Sequence, residues 1–325
     1  MITLYLLCVI LGLFVLTISA DKFVDSSSNI AKHLGMSPLL IGMIIIGFGT
    51  SAPELVVSIL AAIEGNAGIA LGNAYGSNIT NIALILGSTA LFRPIIVESQ
   101  VVKKELPILI GITVISMGLL FDLQLSRIDS LVLLIIFSLL MMWTILQSKK
   151  NKSDQLTLEV EQELQNSSSS FNLKKIALTL VLSFIVLIIS SRVLVYGAVG
   201  IATIFGVSDL IIGLTIVALG TSLPELASSI IAIKKGESDL AIGNIIGSNL
   251  LNSLLVVGVA GVITPVALSK DFFYRDILVM FGLTLSLFFM GIGLKGKGKI
   301  GRIKGGILFT CYIIYVGYLI VTSVS

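Results

Sequence analysis

Histidine occurs once in this 325-residue chain, tryptophan once, cysteine twice and proline six times, and Asp, Glu, Lys and Arg together supply only 12% of it. Each scarcity excludes something. Cys8 and Cys311 both lie inside apolar runs with no metal-ligand spacing, so they are read as packing residues. His33, the lone histidine, sits beside basic residues and is given no catalytic role. An enzyme acting inside a membrane would need a nucleophile with an activating base beside it, and neither His nor Cys lies near the motifs described below. So few charges also leave too little polar surface for an ordinary soluble domain.

Apolar residues take the remaining space, at 56% of the chain and a mean hydropathy of +1.08. Runs long enough to cross ~30 Å of hydrocarbon fall near 2–20, 37–63, 69–91, 105–121, 128–147, 173–200, 208–233, 240–263, 276–294 and 303–322. The expected fold class is therefore all-α, a polytopic membrane protein with ten transmembrane helices. No Lys or Arg precedes the first run, so it reads as a retained helix and not as a signal peptide. With the N-terminus outside, the inside loops hold 17 of the 21 cations, leaving only Arg127, Arg192, Lys270 and Arg275. The positive-inside rule then puts both termini outside the cell (inner) membrane. The net charge of +3 reports this topology and calls for no nucleic-acid partner.

Residues 35–94 align without a gap with 206–265, at an offset of 171, and 26 of the 60 positions are identical. The chain is expected to be two five-helix units, 1–147 and 173–325. They are joined by a polar cytoplasmic linker, 148–172, with room for a short helix at LTLEVEQEL. Five spans is an odd number, so the second unit must enter the membrane from the opposite side. Inverted repeats of this kind recur in secondary transporters, with substrate held where the two halves meet. The basic turn KGKGKIGRIKGG, 295–306, reads as an inside anchor at the headgroups.

Among 18 acidic residues, Glu54 and Glu225 alone fall deep inside apolar runs, in "GTSAPE" (49–54) and "GTSLPE" (220–225). An unpaired charge at a helix centre costs about 2.5–3.5 kcal/mol, so each must find compensation. Thr50 and Ser51 stand four and three residues before Glu54, on its helix face, and Thr221 and Ser222 repeat this before Glu225. Pro53 and Pro224 have no amide proton and deny the carbonyls of Gly49 and Gly220 their helical partners. Further oxygens follow in "GNAYGSNITN" (72–81) and "GNIIGSNLLN" (243–252). There Asn73, Ser77 and Asn81, and likewise Asn244, Ser248 and Asn252, recur every four residues. Asn73 and Asn244 could equally serve as interhelical hydrogen-bonders, and Asn78 and Asn249 lie on another face, suited to capping or bridging. Carboxylates, hydroxyls, amide oxygens and carbonyls together select calcium, sodium or magnesium over zinc or copper. Calcium fits best because it accepts a flexible cage of six to eight oxygens.

Two repeats, each carrying G-T-S-x-P-E followed by G-N-x-x-G-S-N-x-x-N, resemble the alpha repeats of the cation/calcium exchanger superfamily, and the ten-span layout resembles its prokaryotic sodium/calcium exchangers. The resemblance covers nearly the whole chain. It implies that Glu54 and Glu225 chelate calcium, with backbone carbonyls of Thr50 and Thr221 beside it. It also implies sodium sites at the hydroxyls of Ser51, Ser222, Ser77 and Ser248, carbonyl ligands at Gly47 and Ala218, and a remaining central pair in Asn81 and Asn252. Relatives with potassium coupling place an aspartate where this chain has Asn252, so the expected site charge is −2 and potassium coupling is not expected. The implied activity is antiport of calcium against sodium by alternating access, with the first and sixth spans sliding against the core. No cofactor is expected, and the partners are the two ions and the bilayer, with the chain a monomer. A proton/calcium antiporter using the same site is the alternative. A passive calcium channel is disfavoured by the inverted repeat.

Overall fold

The computed structural model describes residues 2–34, 38–63, 65, 67–98, 101–150, 173–204, 218–292 and 298–324. The LTLEVEQEL segment and all but the first three residues of the expected linker lie outside the described residues, as does the first part of the expected span at 208–233. The side chain of His33 lies outside them too.

Helix dominates. Among the described residues six helices are long and apolar enough to cross a membrane, or seven when the pair Gly42–Thr50 and Ala52–Ile63, bent by 47°, is taken as one span. Of the Ser238–Ile263 span 83% is buried inside the protein, whereas only 17–18% is buried in Ile2–Ile30, Arg127–Thr144, Leu173–Leu194 and Arg302–Val321. The buried helix is thus the centre of the molecule, and the other four form an apolar wall whose outward leucines, isoleucines and phenylalanines suit lipid. The expected spans at 69–91 and 105–121 are helical as well, from Ala67 to Phe92 and from Val101 to Leu119. Glycines and asparagines dilute the first, and Lys103, Lys104 and Glu105 open the second.

The first helix runs well past the apolar stretch that announced it, from Ile2 to Leu34. Its extension keeps an apolar face, with Ala20, Phe23, Val24 and Ile30 buried, while Asp21, Asp25 and Ser28 fall on a neighbouring stripe. This helix lies antiparallel along Leu173–Ile204, since Tyr5 meets Gly197, Gly12 meets Leu194, and Phe23 meets Phe184 with ring centroids 5.7 Å apart. Small residues let the two backbones close up: a Cβ on Gly197 would stand 2.6 Å from the Tyr5 carbonyl oxygen.

The helix Ser238–Leu251 receives the π-helical stretch Gly42–Gly47 across a similar crossing of glycines. A Cβ on Gly42 would stand 2.6 Å from the Leu240 carbonyl oxygen, and one on Gly47 would stand 3.0 Å from that of Asn244. π-helical turns recur at equivalent places in the two halves, at Thr80–Leu86 and Asn252–Val256, and again at Val101–Glu105 and Phe272–Ile277. Such turns widen a helix locally and concentrate at functional sites.

Two short antiparallel pairings tie the loops together. Strand β1 (Ile95–Val97) pairs with a strand at Gly298–Ile300, in the register Ile95 to Ile300. Gln124–Leu125 pairs with Val266–Ala267, in the register Leu125 to Val266. Each pairing joins a loop of the first half to a loop of the second.

Gly247 tests the central crossing, because a Cβ there would overlap the Met43 carbonyl oxygen, a backbone atom that cannot swing away. Gly247→Ala should lower stability by about 1–3 kcal/mol, read as a lower thermal midpoint of the purified protein in detergent. Gly301→Ala, with nothing within 4 Å of its added carbon, should leave that midpoint in place.

Candidate functional site

Both GTS-x-PE motifs break their helices at the serine. Ser51 has φ −83° and ψ 5°, Ser222 has φ −91° and ψ 7°, and a new helix starts just beyond each. These angles lie in the sparsely populated bridge region, where functional residues often sit. Proline stands two residues after each serine, well suited to a first helical turn because it lacks the amide that such a turn leaves unpaired. The break therefore turns a mid-membrane glutamate into a first-turn residue of Ala52–Ile63 or of Leu223–Lys235. There the helix dipole favours negative charge by about 0.3–1 kcal/mol, up to ~2 when partly buried. That falls short of the cost of placing the carboxylate at membrane depth.

Hydrogen bonds supply the next part, and they come from the opposite half. Ser51 Oγ donates to Glu225 Oε1 at 2.9 Å, and Ser222 Oγ donates to Glu54 Oε1 at 3.1 Å. Each serine sits three residues before the glutamate of its own half and bonds the glutamate of the other, so the exchange of bonds draws the two motifs together. Both glutamates are fully buried. The second oxygen of each, Oε2, is buried without a hydrogen-bond partner among the described residues. A hydrogen bond to a charged group contributes about 1.5–3 kcal/mol, whereas a buried acceptor left unmade costs a comparable amount. One serine per carboxylate thus satisfies one of its two oxygens, and the other oxygen of each stays buried and unpartnered among the described residues.

Around this centre the paired oxygens are arranged alike in the two halves. Asn73 Nδ2 donates to the Glu54 carbonyl at 3.2 Å and to Ser58 Oγ at 3.1 Å. Asn244 Nδ2 does the same to the Glu225 carbonyl at 3.2 Å and Ser229 Oγ at 2.9 Å. Their amide oxygens accept across the interface, Asn244 Oδ1 from Thr50 Oγ1 at 3.1 Å and Asn73 Oδ1 from Thr221 Oγ1 at 3.5 Å. Both asparagines thus make the interhelical hydrogen bonds that their positions allow. Ser248 Oγ donates to the Gly47 carbonyl at 3.1 Å, and Ser77 Oγ lies 3.3 Å from Ser222 Oγ. These residues fall into two bonded sets, one with Gly47, Thr50, Ser51, Ser248 and Glu225 and the other with Ser77, Thr221, Ser222 and Glu54. Ala218 begins the short helix Ala218–Thr221 that leads into Ser222.

Asn81 and Asn252 are fully buried at the next level. Asn81 Nδ2 donates to Asn249 Oδ1 at 3.0 Å, while its own Oδ1 and both polar atoms of the Asn252 side chain have no partner among the described residues. Asn78 bridges as its face suggested, donating to Ser253 Oγ at 2.8 Å. Ser58, Ser229 and Ser253 were not among the candidate residues. The first two carried a signal all the same, since each stands four residues after its glutamate in both repeats. Ser253 has no serine counterpart at position 82, which is Ile82, so no repetition pointed to it.

Three comparisons agree on relatives. The profile of the family described as sodium/calcium exchanger protein matches residues 4–146 and 175–321. The chain is 45% identical over 316 residues to CaxA of Alkalimonas amylolytica, covering 97% of this chain and 98% of that protein. It is 37% identical over 313 residues to the inner membrane protein YrbG of Escherichia coli strain K12, covering 95% of each. Among solved structures, the sodium-calcium exchanger NCX_Mj soaked with sodium and strontium superposes with a TM-score of 0.83 at 31% identity, over 98% of this chain and 99% of that one.

The asparagine struts give a test that needs no ion. Asn244→Leu keeps the branched shape but removes both donors, leaving the Glu225 carbonyl and Ser229 hydroxyl without them, and should cost about 1–3 kcal/mol. Asn73→Leu should cost a similar amount by the same geometry, and thermal unfolding of the two purified variants beside wild type measures both.

Proposed function

The chain belongs to the sodium/calcium exchanger family of cation antiporters, and from that membership we propose that it exchanges calcium for sodium at a single centre between Glu54 and Glu225. The observation that carries the reading is the pair of buried Oε2 atoms without partners, each on a carboxylate whose other oxygen is held by a serine of the opposite half. In this reading the two carboxylates chelate calcium, and the backbone carbonyls of Thr50, Thr221, Gly47 and Ala218 complete its oxygen cage. Hydroxyls of Ser51, Ser222, Ser77 and Ser248 serve flanking sodium ions that share the carboxylates, and Asn81 and Asn252 supply the remaining central pair. The formal charge of −2 balances one calcium or a small group of sodium ions. Exchange follows because the two cannot occupy the centre together, and an empty charged site is too costly to carry across the barrier.

The same proposal takes the architecture as ten transmembrane helices in two inverted five-helix repeats, 1–147 and 173–325, joined by a cytoplasmic linker at 148–172. The loop pairings support it. Strand β1 and the strand at Val266–Ala267 start 171 residues apart, and each pairs with a loop of the other half, as expected if a twofold axis in the membrane plane relates the repeats. The long helices Ile2–Leu34 and Leu173–Ile204 form the pair that slides against the core. The distribution of Lys and Arg places both termini outside the inner membrane. A single chain contains every residue of the centre, so the working unit is a monomer.

A proton would also answer an unpartnered carboxylate oxygen, which keeps proton/calcium antiport as the second reading. In everted vesicles an outward-directed chemical gradient of sodium should drive calcium uptake, and Glu54→Gln or Glu225→Gln should abolish it. Transport at wild-type rate in both variants would overturn the site. Uptake that ignores sodium and follows an imposed pH gradient would select the proton. Potassium, tested in the same vesicles, should have no effect, because Asn252 carries no charge.

A further inference from the structure

One cluster of charges lies away from the centre and plays no part in binding there. Lys235, the last residue of Leu223–Lys235, places Nζ 2.7 Å from Asp21 Oδ1 and 2.6 Å from Asp25 Oδ1, and donates to the Asp21 carbonyl at 3.1 Å. Two residues on, Glu237 Oε1 accepts from Ser28 Oγ at 3.1 Å. Asp21, Asp25 and Ser28 follow one another at i, i+4 and i+7 along the first helix, so one stripe of that helix is fastened at three points to one turn of the core.

The turn itself is rigidly mounted. Gly236 takes the left-handed conformation, φ +85°, that caps the helix, and the Glu237 amide bonds back to the Ala232 carbonyl at 2.9 Å. Arg93 Nη1, from the end of the 67–92 helix, donates to the carbonyls of Ile233 and Lys234 at 3.3 Å each. Between Asp21 and Asp25 on the first helix is Phe23. Its ring and that of Phe184 stand 3.5 and 3.4 Å from where a Cβ on Gly49 would lie, one residue before Thr50. The charged stripe and the aromatic contact with the site helix thus belong to the same two helical turns. Partial burial works against the Lys235 charge, but hydrogen bonds to Asp21 and Asp25 hold its pKa above the ordinary lysine value.

The geometry points to a latch: Lys235 with Asp21 and Asp25, reinforced by Ser28 and Glu237, fixes the register of the first helix on the core and with it the position of Phe23 over the site. Lys235 is a positioning residue, and it acts on transport by favouring one arrangement of the sliding helix pair over the other. The transport consequence rests on the alternating-access reading above. The latch itself rests only on the contacts.

The test uses the full chain in proteoliposomes. Lys235→Met removes the charge at similar length, Lys235→Arg keeps it, and the exchange Lys235→Asp with Asp25→Lys restores an ion pair with its signs reversed. Surface ion pairs of this exposure are individually weak, so Lys235→Met should speed hydrogen–deuterium exchange across residues 19–30 about two- to fivefold. It should also move the half-saturating calcium concentration by a similar factor, in opposite senses on the two membrane faces. Lys235→Arg and the reversed pair should both stay near wild type. Unchanged exchange protection in Lys235→Met, or equal effects of Lys235→Met and Lys235→Arg, would overturn the latch. Glu54→Gln and Glu225→Gln are run in parallel: wild-type transport in both defeats the site reading alone, because exchange protection at 19–30 still decides the latch.

Discussion

The structure depends on two carboxylates kept inside a membrane protein by each other's serine. Neither half of the chain can satisfy its own glutamate, since Glu54 takes its hydrogen bond from Ser222 and Glu225 takes its from Ser51. This reciprocity requires both helix breaks to face one another at the same depth. Once they do, two fully buried carboxylates each keep one oxygen without a partner among the described residues. A polar cluster that is only half satisfied is a poor structural core, because each unpaired buried group keeps its desolvation cost.

Everything near the centre serves that alignment. The glycines at 42, 47, 243 and 247 let two helices from different halves approach to backbone contact, which brings Gly47 under Ser248 and Thr50 beside Asn244. Bulkier residues would part the helices by more than a hydrogen bond can span. The asparagines then lock the arrangement, each bonding to the backbone of its own glutamate and to the threonine of the opposite half. Inside a bilayer such bonds are individually modest. Here they are repeated on both sides of the interface, and both copies must be disrupted together for the halves to separate.

Outside the centre the restraints become fewer and more exposed. The helix pair Ile2–Leu34 and Leu173–Ile204 packs closely on itself, yet meets the motif helix at Gly49 through two aromatic rings and the end of Leu223–Lys235 through an ion cluster. A bonded core beside a pair held by apolar contact and partly solvated charges is a division of labour suited to movement of one against the other, because apolar surfaces slide without leaving donors unpaired.

Much was written in the sequence. Hydropathy announced a membrane protein, the offset of 171 is a repeat in the sequence itself, and two glutamates in apolar runs marked the places where buried carboxylates would need partners, because charge at membrane depth is costly. A proline two residues after each serine even pointed to the region where each helix breaks. The extension of the first helix to Leu34 was not legible: its polar residues look like a loop until Lys235 and Glu237, more than 200 positions away, are seen to face them. Nor could spacing say that Asn73 and Asn244 turn their oxygens to threonines, or that each serine bonds the far glutamate. Periodicity states which residues share a face of one helix. Which face meets which is decided only when glycine contacts set how closely two helices cross, and that is a property of the assembled fold.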